Sequence, residues 1–203
     1  MNTAQKTSYD QGSPDGAVEP MQARKGHGMN LFRQQLPGLA IGLFRIMFGI
    51  LWLDAALQKA PWIISPDNGQ RFGWLYGWIW QEINHPTFAW YKKFLEAVVL
   101  PNFNFFGYLS FFTEMALGMA LVLGVCTVLS GLGGALWQFN IALGSYSVPH
   151  EWYWIWPLLI VPHLVFAQSR AGRSVGLDLF LCQWLAQAAP GQTALGRFLR
   201  HCM

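Results

Sequence analysis

The sequence predicts an all-α integral membrane protein, an antiparallel four-transmembrane-helix bundle with interfacial amphipathic helices. Three observations predict this fold class. Hydrophobic residues make up 53% of the 203 residues and charged residues only 11%, whereas a soluble domain carries about 25% charged residues. Four apolar segments are long enough to cross a bilayer, which takes roughly 17–25 residues. The 11 Trp and 15 Phe supply side chains that anchor a protein at the membrane–water interface.

The chain divides by composition into three parts. Residues 1–36 are polar and rich in Gly, Ser, Pro and Gln, which predicts a disordered cytoplasmic tail. Residues 37–176 form the membrane domain, with predicted spans at residues 37–58, 105–125, 127–144 and 152–168. Residues 177–203 are predicted to be a cytoplasmic interfacial helix and tail, because "VGLDLFLCQWLAQAA" clusters apolar side chains within a short segment.

The long connection between the first two spans, residues 62–104, is interrupted by acidic and basic residues and is rich in Trp. Such a segment is typical of short amphipathic helices that lie on the membrane surface. We therefore expect an outer, interfacial connection instead of a fifth span.

The distribution of Lys and Arg predicts the orientation. Eight flank the spans on the side that holds both termini and four on the other side, which puts both termini in the cytoplasm of a bacterial- or archaeal-type cytoplasmic (inner) membrane. All three cysteines then lie on the reducing side, where a structural disulfide is not expected. The net charge of +3 is too small to argue for nucleic-acid binding. The expected partners are the lipid bilayer and further protein subunits.

Charged residues inside the predicted spans need a partner or a cavity. Arg45, Asp54 and Glu114 lie in apolar segments, where a charge costs at least about 2.5–3.5 kcal/mol. The other spans contribute the uncharged polar residues Gln138, Asn140 and His163. We expect these groups to form a polar ladder across the bundle.

Helical spacing puts Arg45 and Asp54 on opposite faces of the first span, so they cannot pair with each other. We expect Arg45 to pair with Glu114. Asp54 is expected to meet Gln138 or Asn140, or to face a neighbouring protein. The face that carries Arg45 also carries Gly49, Trp52, Ala56 and Lys59.

Two interpretations of the ladder stay open. Buried ion pairs and amides can fix the register of the helices without any chemistry. Alternatively, they can line a polar pocket for a small redox or proton-linked ligand, with His163 able to titrate near neutral pH. No metal or haem is expected, because His85, His150 and His163 lack the spacing of metal ligands and no CxxCH motif is present.

Four stretches between Leu43 and Leu181 resemble the DoxX/DoxD family of small four-helix membrane proteins. "FRIMFGILWLDAALQKAPW" is similar to the first span of that family and "FFTEMALGMALVLGV" to the second. "SRAGRSVGLDLFL" resembles its closing segment, and "WYKKFLEAVVLPNFNFFGYLSFF" its longer DoxD branch. One departure is Cys126-Thr127, where the family often has a basic residue in the turn.

DoxD-like proteins are associated with thiosulfate:quinone oxidoreductase, and DoxX-like proteins with membrane complexes that link sulfur metabolism to oxidative-stress enzymes. The resemblance therefore implies a membrane subunit of a quinone-linked redox complex, with thiosulfate oxidation coupled to quinone reduction as its candidate reaction. In that role Glu114 would relay protons and His163 would hydrogen-bond a quinone carbonyl, as the catalytic pair. Arg45, Gln138 and Asn140 would help to bind the quinone.

The alternative function is a non-catalytic scaffold or accessory subunit. It would dock a larger electron-transfer or photosynthetic assembly through its lipid-facing aromatic side chains. Asp54, directed away from Arg45, fits this alternative because it is free to contact a partner.

Overall fold

A computed structural model describes the backbone of residues 22–188 and the side chains of residues 38–184 except Cys182. The chain divides into two units, Met1–Gln34 and Gln35–Met203. In the first unit the described residues belong to the beginning of a helix; all that follows concerns the second. Of the predicted tail, residues 1–36, the first 21 residues lie outside the described part of the chain. From Gln22 onward the backbone is helical.

Seven helices account for most of the described residues, and the prediction of an all-helical chain is confirmed. An isolated β-bridge between Ile64 and Arg71 is the one strand-like pairing in this part of the chain. The helices are α1 (Gln22–Gln58), α2 (Leu75–Asn84), α3 (Ala89–Phe94), α4 (Phe103–Leu123), α5 (Thr127–Ser145), α6 (Ile155–Ser169) and α7 (Leu177–Ala188).

Two segments have the length and apolar character of membrane spans, Gly38–Gln58 of α1 and Phe103–Leu123, which is α4. They match the first two predicted spans within two residues at each end. Helix α5 covers the third predicted span, and the shorter apolar helix α6 covers most of the fourth.

Helices α1 and α4 run antiparallel and cross at two glycines. A Cβ atom at Gly49 would lie 2.9 Å from the carbonyl oxygen of Gly118, and one at Gly118 would lie 3.0 Å from that of Gly49. Further along, Ala56 and Ala60 pack against Phe111. The two backbones therefore approach closely through small residues, the packing device expected where burial gives no hydrophobic drive between helices.

The short turn between α4 and α5 is held by a residue from far along the chain. Gly124 ends α4 in the left-handed conformation, with φ of 67°, which glycine adopts without strain. The Asp178 carboxylate accepts hydrogen bonds from the backbone N–H groups of Cys126 (2.7 Å) and Thr127 (2.9 Å) and from the Thr127 hydroxyl (2.6 Å). Asp178 therefore supplies the acceptor that the first amides of α5 need.

Helices α5 and α6 pack against each other most extensively. A Cβ atom at Gly131 would lie 2.6 Å from the carbonyl oxygen of His163 and 2.9 Å from the backbone nitrogen of Ala167. One at Gly134 would collide with the His163 ring. These glycines fix the distance between the two helices and the position of the imidazole.

The connection between α1 and α4 contains α2, α3 and a π-helical turn, Leu95–Val99. Its apolar side chains form a hydrophobic cluster with Phe103 at the beginning of α4. The buried members are Phe72, Ile79, Ile83, Tyr91, Leu95, Val99 and Phe103. The connection is thus a folded cap with its own small core, packed against α4 and α5.

We predict that Gly131→Ala destabilises the protein and that Gly133→Ala does not. The Cβ atom at Gly131 meets α6 backbone that cannot move alone, and overpacking of this kind costs about 1–3 kcal/mol. At Gly133 the nearest atom is a Leu117 methyl at 3.6 Å, an ordinary contact. Thermal unfolding of both variants in the same detergent measures the difference; equal melting temperatures would contradict the close α5–α6 approach.

Candidate functional site

A cavity of about 660 Å³ lies between α1, α4, α5 and α6, next to α2 of the folded cap. Ligand pockets usually measure about 300–1,000 Å³ and combine an apolar wall with a few polar groups. This cavity has that character, with aromatic and aliphatic side chains around a small polar set. Its wall comprises Phe48, Leu51, Trp52, Ala55, Lys59, Trp74, Trp78, Glu114, Gln138, Ile141, Ser145, Glu151, Trp156, Leu159 and His163.

A buried ion pair forms part of the cavity wall. The Lys59 Nζ lies 2.5 Å from Glu114 Oε1, and the two side chains are 5% and 1% exposed. The prediction that Glu114 pairs with Arg45 is therefore wrong. Lys59, which follows α1 directly, takes that place.

The geometry of the α1–α4 crossing explains why Lys59 is the partner. From the Gly49–Gly118 contact, Glu114 lies about 6 Å toward the α2 cap, whereas Arg45 lies about 6 Å the opposite way. Helical side chains also tilt toward the N-terminus of their own helix. In this antiparallel pair the Lys59 and Glu114 side chains tilt toward each other, and those of Arg45 and Glu114 tilt apart.

The two oxygens of Glu114 are in different situations. Oε1 accepts hydrogen bonds from Ser110 Oγ (3.2 Å) and Trp137 Nε1 (3.4 Å) besides the Lys59 contact. Oε2 is buried and has no hydrogen-bond donor among the described residues. Buried polar atoms are almost always paired in proteins, so the unpaired Oε2 is an unusual feature of a residue in the cavity wall.

A second unpaired polar atom, this time a donor, belongs to the same wall. Trp156 is buried in α6, and its Nε1–H has no acceptor in the part of the chain that the structure describes. Gln138, predicted as a binding residue, also lines the cavity and is 7% exposed. Two side chains of this mainly apolar wall therefore carry a buried polar atom without a partner among the described residues, a donor on Trp156 and an acceptor on Glu114.

His163 lies in the cavity wall, as the prediction of a shared polar site requires, but both of its ring nitrogens are engaged. Nε2 lies 2.7 Å from Trp52 Nε1, and Nδ1 lies 2.6 Å from the Leu159 carbonyl oxygen. Because an indole N–H can only donate, Nε2 accepts and Nδ1 carries the proton. The imidazole is therefore neutral and fixed in one tautomer. In this form it holds the Trp52 ring in position in the cavity wall.

The remaining predicted residues lie outside the main cavity. Arg45 is fully buried, and its Nη2 donates to the Val175 carbonyl oxygen at 2.5 Å, close to the Asp178 carboxylate. Asn140 lines a second cavity and receives the Tyr91 hydroxyl through its backbone carbonyl (3.2 Å) and Oδ1 (3.4 Å).

Asp54 is exposed on the outer face of α1 and accepts a hydrogen bond from Gln58 Nε2 at 2.7 Å. Among the described residues Asp54 forms no hydrogen bond with Gln138 or Asn140. The prediction that it meets one of these two residues is therefore wrong. Asp54 points out of the bundle because it lies about 180° around the helix from the buried face. The expectation that it faces a neighbouring protein stays a prediction.

A second cavity of about 240 Å³ lies beneath the α2 cap and shares the Lys59–Glu114 pair with the first. Glu82 of α2 lines it and is 7% exposed. The Glu82 Oε1 accepts a hydrogen bond from the Ser145 hydroxyl at 2.6 Å. Burial raises the pKa of Glu82 to about 7, although this hydrogen bond opposes the shift.

Three residues of the two cavity walls were not predicted from the sequence. Lys59 could have been, since helical spacing puts it on the same face of α1 as the buried Arg45. No sequence feature distinguishes Glu82, because a single acidic residue in an aromatic connection is usually a surface charge. Trp156 was one of many tryptophans, and only the folded structure distinguishes a buried, unpaired indole from an interfacial anchor.

Among the residues whose side chains the structure describes, no group of three or more His, Cys, Asp and Glu residues is arranged to hold a metal ion.

The comparison with protein families gives a clear result. The family described as "TQO small subunit DoxD" matches residues 41–193. The chain belongs to the DoxD family. The resemblance inferred from the four sequence stretches is confirmed, and with it the assignment to a family of membrane proteins. No curated protein and no solved structure matches this DoxD chain.

We predict that Lys59→Met destabilises the protein strongly, because it leaves the Glu114 carboxylate buried without its counter-ion. Breaking a buried pair in this way costs about 3–5 kcal/mol. The double variant Lys59→Met/Glu114→Gln is expected to recover much of that loss, since no charge is left unpaired. Chemical unfolding in mixed micelles measures the free energy of unfolding of the wild type, the single variant and the double variant.

The control for this prediction is Lys92→Met. Lys92 pairs with Glu96 at 3.8 Å, but both side chains are exposed, and such pairs contribute only about 0–1 kcal/mol. Equal effects of Lys59→Met and Lys92→Met would contradict the buried position of the Lys59–Glu114 pair.

The raised pKa of Glu82 predicts that stability declines as pH rises. Because the folded chain binds this proton more tightly, the contribution is complete below pH 4.5 and is lost as pH rises through about 7. Glu82→Gln carries no charge and lacks this pH dependence. Between pH 4.5 and about 7 the melting temperature of the wild type should therefore fall relative to that of Glu82→Gln. The control, Glu96→Gln, should follow the wild type.

Proposed function

We propose that this DoxD chain is the quinone-binding membrane subunit of a thiosulfate:quinone oxidoreductase-like complex. The observation that carries the proposal is an apolar cavity whose wall contains two side chains with an unpaired buried polar atom, Trp156 with its Nε1–H donor and Glu114 with its Oε2 acceptor. The family description supports the same activity.

A quinone fits this donor and acceptor set. Its oxidised form presents two carbonyl oxygens, which accept hydrogen bonds, and its reduced form presents two hydroxyl groups, which also donate. Trp156 Nε1–H and the Gln138 amide can donate to the carbonyl oxygens, while Glu114 Oε2 can accept from a hydroxyl. The aromatic wall and the volume of about 660 Å³ suit a planar ring.

The cavity reaches the outer surface of the bundle along α1. Leu51 lines the cavity and is 50% exposed on the face of α1 that carries other apolar side chains. A quinone carries a long isoprenoid tail, which is stable only in lipid. We infer that the tail leaves the cavity past Leu51.

In this role Lys59 and Glu114 act together. Glu114 supplies an acceptor and a proton-exchanging carboxyl, and Lys59 keeps that carboxyl oriented and limits the cost of its charge. His163, held neutral between Trp52 and Leu159, orients the wall without donating to the quinone. The two electrons per quinone come from thiosulfate through a partner subunit.

We further propose that α1, α4, α5 and α6 form four membrane spans with both termini in the cytoplasm. All four helices expose large apolar side chains on their outward faces, a pattern that soluble proteins avoid. Examples are Leu43, Ile50 and Leu57 on α1, Phe105, Phe112 and Met119 on α4, Leu129, Leu136 and Phe139 on α5, and Leu158, Val161 and Leu164 on α6. The Lys and Arg bias supports the orientation.

Asp54 supports a second candidate function, that of an accessory subunit without its own reaction. This carboxylate is exposed on the same outward face as Ile50 and Leu57, where lipid gives it no counter-charge. A basic or hydrogen-bonding group of a partner subunit would stabilise it there.

Extraction of quinone from the purified full chain tests the proposal. We expect near-stoichiometric quinone in the wild type and about a tenfold loss of quinone affinity in Trp156→Phe, because one hydrogen bond in an apolar site contributes about 1.4 kcal/mol. Trp154→Phe is the matched control, since Trp154 is 44% exposed outside the cavity wall. Co-purifying subunits without quinone would overturn the redox role in favour of the accessory one.

A further inference from the structure

Glu82 is a buried carboxyl that the proposed quinone site does not yet use. It lies on α2, beyond the Lys59–Glu114 pair as seen from the main cavity, and is 7% exposed. Gly144 leaves the room for it, since a Cβ atom there would lie 2.5 Å from the Glu82 carboxylate carbon. Such a group is costly to bury, and an apolar residue would fill the same place without that cost.

Two short connections join Glu82 to the main cavity. The first is direct, because Ser145 Oγ lies 2.6 Å from Glu82 Oε1 and Ser145 is part of the main cavity wall. The second runs through the 240 Å³ cavity, which Glu82 and Glu114 both line. Glu114 is also part of the main cavity wall.

The ionisable groups that face Glu82 leave it without a counter-ion. The second cavity is lined by Lys59 after α1, Tyr91 of α3 and Glu114 of α4, while α5 contributes the uncharged Asn140. Lys59 is engaged by Glu114. Among the described residues Glu82 forms no ion pair, so its charged form is stabilised mainly by the Ser145 hydroxyl.

We propose that Glu82 supplies protons to the quinone site through Ser145, an inference that rests on the proposed function. Ser145 Oγ accepts a hydrogen bond from Trp78 Nε1 at 3.0 Å, which leaves one lone pair and its own proton for transfer. When Glu82 is ionised, the Ser145 hydroxyl donates to it, as in the structure. When Glu82 is protonated, it donates to Ser145 and the Ser145 proton turns toward the cavity.

The transfer balances in atoms and charge. The Glu82 proton passes to Ser145 Oγ while the Ser145 proton passes to an oxygen of the quinone that has received electrons from the donor. Glu82 remains as a carboxylate and regains a proton from water near Gln81 and His85, which are exposed on and beside α2. A pKa of about 7 for Glu82 means that both forms are populated near neutral pH.

The test measures dithionite reduction of decylubiquinone bound to the full chain in detergent, as a function of pH. Glu82→Gln is expected to slow the proton-dependent reduction by about 10²-fold, the usual contribution of a positioned acid, and to remove the pH dependence near neutrality. Ser145→Ala should slow it similarly, whereas Glu82→Asp should restore most of the rate. Glu96→Gln, an exposed carboxyl on the same connection, serves as the matched control.

Quinone content is measured on every sample, so that failure of the quinone site can be distinguished from failure of the proton path. Wild-type rates and an unchanged pH profile in Glu82→Gln, with full quinone content, would overturn the proton path alone. Failure of the wild type to bind decylubiquinone would overturn the quinone site and the proton path with it. Loss of rate in Glu82→Gln that Glu82→Asp does not rescue would indicate a structural role and would also overturn the path.

Discussion

The Lys59–Glu114 ion pair is the interaction on which the interior of this DoxD chain depends. It joins the end of α1 to the middle of α4 and stands in the wall of both cavities. A lone carboxylate at the middle of an apolar helix would be neutralised or expelled. With Lys59 in contact, and Ser110 and Trp137 donating to the same oxygen, one Glu114 oxygen is satisfied, and the other has no donor among the described residues.

A division of polar groups along the bundle follows from this pair. At one end Arg45 and Asp178 hold the α4–α5 turn and the segment before α7 through hydrogen bonds to backbone groups and to the Thr127 hydroxyl. At the other end Lys59, Glu114, Glu82 and Ser145 surround empty space. The first group therefore stabilises the fold, and the second group is where chemistry can occur. The Gly49–Gly118 crossing lies between them.

Much of the fold could be predicted from the sequence, and less of the site. Apolar segments gave the helix positions because length and hydropathy need no tertiary information. Helical spacing correctly separated Arg45 from Asp54. The predicted partner of Glu114, Arg45, was wrong because the crossing point of α1 and α4 and the tilt of their side chains decide which charges meet, and neither is visible in one helix alone. Glu82 and Trp156 could not be found, since their burial depends on how the α2 cap and α6 fold over the bundle.

The Asp178 cap has a consequence for how the protein is made. The first amides of α5 receive their acceptor from a residue 51 positions later in the chain. Until the ribosome has delivered α7, these amides have no Asp178 carboxylate to bind and must take their acceptors from solvent. The α4–α5 turn therefore reaches its final hydrogen bonding only after α7 has been synthesised.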